Sequence, residues 1–135
     1  MSELYLEIVT PSKSAFSGEI KSITVPGTKG RFQVLNNHAP IISTFDIGMI
    51  KVDLPNGKSD HYATAGGTIE VLDNKVLVLA DSIEQVSEID EERALNAKQR
   101  AEERLLEKKS DINITRAQAS LARANNRILV KEKYN

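Results

Sequence analysis

The 135-residue chain contains no cysteine. That absence excludes disulfides, thiol catalysis and cysteine-ligated metal together, and it fits a reducing compartment. Net charge is −1, too small for bulk attraction to nucleic acid or an anionic membrane. Residues 1–20 lack the basic start and apolar block of a secretory signal, and Glu3 and Glu7 are foreign to an Arg-rich transit peptide. No apolar run approaches the roughly 20 residues that span a bilayer. Membrane association is therefore expected only through a partner. Beyond Ala80 the chain has neither proline nor glycine.

What is present divides at that point. Leu4, Leu6 and Ile8 alternate with Tyr5, Glu7 and Val9, the period of a strand. Further short strands are expected at Ala15-Phe16, Ile20 to Val25, Phe32 to Leu35, Ile41 to Phe45, Ile50 to Leu54, Tyr62-Ala63, Thr68 to Leu72 and Lys75 to Ala80. Turn residues separate them: Gly27 and Gly30, Asn36-Asn37, Pro55-Asn56-Gly57, Gly66-Gly67 and Asp73-Asn74. Strands recurring about every ten residues predict a β-sandwich or barrel. The stretch from Val25 to Pro40 reads as one rigid rim, with Gly27 and Gly30 supplying unusual backbone angles and Pro40 holding Ala39 extended.

Between Asp81 and Glu92 there are six acids and no base. Asp90 is a candidate N-cap, with Glu91 and Glu92 complementing the helix dipole. Ala94, Ala97, Ala101 and Leu105 share one helical face, and Lys108 and Lys109 end it. Ser110 to Asn113 reads as a break. A second helix is expected from about Ile114, capped by Asn113, with Ile114, Ala117, Leu121, Ala124 and Ile128 on one face. So short a connection predicts an antiparallel hairpin. The expected architecture is mainly β plus α: a β-sandwich over 1–86, then an antiparallel two-helix hairpin over 87–135. The seam is alanine-rich. A buried methylene-sized group contributes roughly 0.8 kcal/mol, against about 1.5–3 for a buried leucine or isoleucine. So thin a seam suits either a static hairpin packed on the sandwich or an element that changes position.

Chemical motifs are few. Gly27-Thr28-Lys29-Gly30 fails as a phosphate loop, because Lys29 precedes a strand and not a helix. His38 and His61 belong to no ligand-spaced cluster, and a turn or interface role suits His38. Ser12, Ser14 and Ser17 lack a nucleophile-elbow context. Asn113-Ile114-Thr115 matches a glycosylation sequon, but a helix cap explains it. No catalytic set and no metal set emerges. From Asp111 to Asn135 there are five bases and two acids, and Arg116, Arg123 and Arg127 form a stripe that reads either as a solvated face or as a docking stripe for an acidic partner or a phosphate.

Three motifs in order carry a resemblance. Pro26-Gly27-x-x-Gly30 leads to Val34-Leu35-x-x-His38-Ala39-Pro40 and Gly48. Ala65-Gly66-Gly67 precedes Glu70-Val71, and Ile89-Asp90-x-x-Arg93-Ala94 opens the helical part. Over essentially its whole length the chain resembles the epsilon subunit of the F-type ATP synthase. The resemblance implies a non-catalytic rotor-stalk protein. Its sandwich would bind the gamma subunit and sit on the c-ring, coupling proton-driven rotation to ATP synthesis. Its hairpin would fold down, or extend to the alpha/beta hexamer and inhibit ATP hydrolysis. It also implies a peripheral position on the cytoplasmic face of a bacterial inner membrane. Arg31, His38, Ala39 and Pro40 are the expected contacts of the sandwich, and Arg116, Arg123 and Arg127 those of the extended hairpin. Some members bind a regulatory ATP between the helices. The matching positions are Glu84, Ile89, Asp90, Arg93, Ala94, Arg100, Arg123 and Arg127; no cofactor is required. A free-standing ATP-binding sensor is the alternative. Arg31 stands where the family often carries an acid, and Asn36-Asn37 replaces a common Pro-Gly.

Overall fold

A computed structural model describes residues 3–107 and 110–135. The chain divides into two compact units, Met1–Gln85 and Val86–Asn135. The predicted Lys108 and Lys109 lie outside the described residues.

The first unit is a β-sandwich of ten strands: β1 (Leu4–Val9), β2 (Ser14–Ile20), β3 (Ser22–Val25), β4 (Phe32–Val34), β5 (Ile41–Phe45), β6 (Gly48–Asp53), β7 (Ser59–Thr64), β8 (Gly67–Leu72), β9 (Lys75–Ala80) and β10 (Ile83–Gln85). They form two five-stranded sheets, ordered β2-β1-β9-β8-β5 and β10-β7-β6-β3-β4. The β1–β9 pair is parallel. Leu6, Ile8, Ile23, Val25, Val34, Ile50, Val52, Ile69 and Val78 are fully enclosed between the sheets. Alternation places these side chains on the inner faces and their neighbours outside.

The run Ile20 to Val25 is two strands, one in each sheet, because the chain turns at Lys21. Leu35 leaves β4 and is half exposed. β10 was absent from the expected strands, since three residues inside an acidic stretch carry no alternation. Asp73 and Asn74 both take positive φ (49° and 60°), the geometry of a two-residue hairpin turn between Leu72 and Lys75. Gly30 also has positive φ (124°). Gly27 is needed for space instead: a Cβ there would lie 2.5 Å from the Gly30 carbonyl oxygen.

The second unit begins with a short 3-10 turn, Val86–Glu88, followed by α1 (Glu91–Glu107) and α2 (Asp111–Tyr134). Asp90 caps α1, its Oδ1 accepting from the Arg93 N–H at 3.1 Å. α2 starts three residues earlier than the sequence suggests. Ser110, in extended conformation, accepts from the Asn113 N–H at 3.2 Å. Asn113 is thus the capped residue and Ser110 the cap. Ser110→Ala is expected to lower helix stability by about 1 kcal/mol. Asn113→Ala should leave the thermal midpoint near that of the unmodified chain; the reverse ranking would restore Asn113 as the cap. α1 and α2 pack on each other, with Ala94, Ala101, Ala117 and Ala124 buried and Ala97, Leu105, Leu121 and Ile128 half-buried. At the other end of α2, Lys131 Nζ donates to the Val86 carbonyl at 3.0 Å, tying the helix to the 3-10 turn.

Candidate functional site

The stretch from Val25 to Pro40 is not one rim. β4 runs through it, so its two loops emerge at opposite ends of the sandwich. The five residue steps from Arg31 to Asn36 span about 16 Å when extended. At one end, Pro26-Gly27 crosses to the other sheet: Gly27 bridges to Phe45, the Asp46 N–H donates to the Pro26 carbonyl, and the Thr28 N–H to the Thr44 carbonyl. Arg31 is exposed here, and its Nη1 donates to the Met49 carbonyl at 2.8 Å. Lys29, Arg31, Phe32, Ser43 and Thr44 line a shallow pocket of about 420 Å³. Glycines crowd this end for steric reasons. A Cβ on Gly48 would lie 2.7 Å from Pro26 Cβ, and one on Gly67 would collide with the Leu79 carbonyl oxygen.

The other end carries Asn36 to Pro40. Asn37 takes positive φ (64°). Its N–H donates to Asn74 Oδ1 at 2.7 Å, and Asn74 Nδ2 returns a bond to Asn37 Oδ1 at 3.3 Å. The Asn74 carbonyl accepts from the Tyr5 N–H. Two left-handed asparagines thus clasp the loop to the β8–β9 turn. His38 Nδ1 lies 2.7 Å from the Ala39 carbonyl. A carbonyl only accepts, so Nδ1 carries a proton and donates to it. Ala39 and Pro40 are exposed and His38 is half-buried. Arg31 and His38 therefore cannot share a single small contact.

The two outer faces of the sandwich differ. On the β2-β1-β9-β8-β5 sheet, the registers put Tyr5, Ile42, Leu72 and Leu79 outward. All four are large and exposed, Ile42 at 77%. The outer face of the second sheet is polar. Asp53 accepts from Ser22 Oγ at 2.7 Å and from Ser59 Oγ at 2.6 Å, and Lys51 Nζ lies 3.6 Å away. Gln33 Nε2 donates to Ser22 Oγ. Ser59 first, then Ser22 and Lys51, hold the Asp53 carboxyl below the ordinary carboxylate range against the opposing effect of burial. Burial, reinforced by Lys51, lowers the pKa of His61 on the same face.

Both shifts act in the same direction with pH. The stability from ionised Asp53 is present above its unfolded pKa of about 3.9 and is lost as pH falls through the depressed folded value. Neutral His61 is favoured by folding, so stability also falls as pH drops through about 6.5, the unfolded histidine value. Asp53→Asn should flatten the acid limb of a stability–pH curve measured by denaturant titration and leave the histidine step. An unchanged acid limb would show that Asp53 is not the group responsible.

In the hairpin, about 100° of rotation per residue puts Arg93, Arg100 and Arg104 within about 40° of one another on α1. Arg116, Arg123 and Arg127 cluster equally on α2. Each set flanks its alanine stripe. Arg104 and Arg116 line one pocket, so the two flanks face the same side of the hairpin. The antiparallel pairing then sets Arg93 toward Arg127 and Arg100 toward Arg123. Arg123 Nη2 donates to Ser120 Oγ at 3.2 Å. Of the remaining matched positions, Ile89 and Ala94 are buried and Asp90 caps α1. Glu84 belongs to the first unit, in β10 opposite Ala63. Arg104 was not among the expected residues, although its spacing of eleven from Arg93 already put it on that flank. Among the described residues no group of three or more metal-ligating side chains converges.

Residues 3–86 match the family described as ATP synthase, Delta/Epsilon chain, beta-sandwich domain, and residues 87–132 its long alpha-helix domain. The chain belongs to the ATP synthase delta/epsilon family. Among its relatives are proteins named ATP synthase epsilon chain. That of Desulforamulus reducens is 43% identical over 127 residues, covering 94% of this chain and 96% of the relative. That of Nitratidesulfovibrio vulgaris is 45% identical over 128 residues, covering 95% of each. The family fold extends to a chain from the Euglena gracilis mitochondrial ATP synthase, a structure of OSCP, F1 and the c-ring. It superposes with a TM-score of 0.81 at 20% identity, covering 93% of this chain and 79% of that one. No described helix of this family member is long and apolar enough to cross a membrane.

Proposed function

We propose that the chain is a non-catalytic central-stalk subunit of a proton-translocating F-type ATP synthase, coupling c-ring rotation to ATP synthesis. Family membership over nearly the whole chain supports the assignment. The observation that carries the docking mode is the set of large exposed apolar side chains Tyr5, Ile42, Leu72 and Leu79, interspersed with Glu7, Glu70 and Lys75 on one outer sheet face. Large apolar side chains exposed on one sheet face, with charged residues between them, suit a protein partner. In this reading that face, continued by His38, Ala39 and Pro40, binds gamma. The opposite end, with Arg31, meets the c-ring. Two partners fit the separation of the two loops. Because Arg31 already donates to Met49, its remaining N–H groups would meet carbonyl or acidic acceptors on the ring.

The hairpin is the regulatory element. It would inhibit ATP hydrolysis by extending to the alpha/beta hexamer, with Arg116, Arg123 and Arg127 on acidic surface. A seam of alanines supports this, because small contacts cost little to exchange. ATP held by Arg93, Arg100, Arg123 and Arg127 would favour the folded form by mass action. The subunit would lie peripherally on the cytoplasmic face of a bacterial inner membrane, held there by the complex. Co-purification is the test. A tagged chain should bring down gamma, and removal of residues 88–135 should preserve capture while raising hydrolysis by the assembled enzyme. Capture without gamma would remove the stalk assignment. Tight ATP binding in that case would favour a free-standing sensor, the reading that the arginine groove also supports. Unchanged hydrolysis would remove the inhibitory role alone.

A further inference from the structure

The loop end of the hairpin holds a pocket of about 320 Å³ lined by Arg104, Glu107, Asn113, Arg116 and Ala117. Arg104 comes from the last turn of α1 and Arg116 from the second turn of α2. No hydrogen bond or ion pair ties either guanidinium to another described residue. Each carries five donors in a planar fork. Asn113 adds a side-chain amide in the first turn of α2, where the helix end bears partial positive charge. Among the described lining residues Glu107 is the one carboxylate, beside the two arginines. Ala117 is buried beneath them, which fixes the backbone that presents Arg116.

We propose that this pocket binds a phosphate-class anion, held between the Arg104 and Arg116 forks with Asn113 as a third donor. Arg104 and Arg116 carry like charge and line one pocket from separate helices, so a dianion held there can make a charge-assisted contact to each. Binding would therefore tighten the loop end of the hairpin. The site is distinct from the Arg93 end of the groove, about 16 Å away along α1. Its anion could be free phosphate or the polyphosphate of a nucleotide.

The full chain should be titrated separately with inorganic phosphate, pyrophosphate and ATP at constant ionic strength, following the amide resonances of Asn113 and Ala117. A saturable shift is expected. Arg104→Gln and Arg116→Gln should each weaken it by about tenfold or more, while Lys58→Gln, in the exposed β6–β7 turn of the sandwich, leaves it unchanged. Arg104→Lys keeps the charge but loses the fork, so intermediate affinity is expected. Far-UV circular dichroism checks that each variant keeps its helices. Saturation by phosphate or pyrophosphate identifies the free anion. Saturation by ATP alone, still dependent on Arg104 and Arg116, identifies the nucleotide's phosphates. No saturable shift with any of the three, or affinities untouched by both glutamine variants, overturns the proposal. ATP binding that depends on Arg93 and Arg123 only would overturn it too, while leaving the nucleotide groove and the stalk assignment standing.

Discussion

Alanine at Gly67 is expected to destabilise the β-sandwich by about 3 kcal/mol, the upper end of the cost of overpacking. The added Cβ would collide with the Leu79 carbonyl oxygen and come within 2.9 Å of Ala80 Cα. Both are backbone atoms of β9, and Gly67 opposes Ala80 in the β8–β9 ladder. No rotamer change relieves such a contact. The strands must separate, or the register must break beside Asp81, whose N–H donates to the Gly66 carbonyl at 2.9 Å. Gly57→Ala is the control. It also has positive φ (87°) but nothing within 4 Å of a new Cβ, so only backbone strain of about 1–2 kcal/mol applies. Urea denaturation of the two variants measures the difference. Equal midpoints would mean that close approach of the strands is not what requires glycine at position 67.

The second large effect is on association. Ile42→Asp should change the stability of the isolated chain by less than about 0.5 kcal/mol, because Ile42 is 77% exposed. Binding to gamma should weaken by about 2 kcal/mol, roughly 30-fold, if the apolar face is the buried centre of that interface. A carboxylate placed there would be desolvated without a partner. Calorimetric titration of the variant against gamma-containing F1 decides the matter. Wild-type affinity with a normally folded variant would move the interface off this sheet face.

Much of the architecture was legible because local signals agreed with each other. Alternation in Leu4 to Val9 and in Lys75 to Ala80, and the turn residues Asp73-Asn74 between their neighbours, are short-range facts of the chain. The loss of proline and glycine beyond Ala80 and the cap at Asp90 announced the helices equally well. β10 was not legible, since Ile83–Gln85 is held as a strand only by pairing with β7. The cap of α2 was misplaced because serine and asparagine are both good caps. Which of them supplies the oxygen and which the N–H depends on backbone angles.

The candidate sites divide along the same line. Residue types and helical spacing, both properties of the linear chain, are enough to place Arg93 with Arg100 and Arg123 with Arg127, because a helix has a fixed rotation per residue. They are also enough to name the family, since its motifs are contiguous. They could not reveal that Arg31 and His38 stand at opposite ends of a sandwich. Nor could they reveal that Asn37 clasps Asn74, that Ser22 and Ser59 converge on Asp53, or that Arg104 and Arg116 line one pocket of the hairpin. Each of these depends on strand order, register or helix packing. Those are set by the burial of side chains far apart in the chain, and nothing local to either partner encodes them.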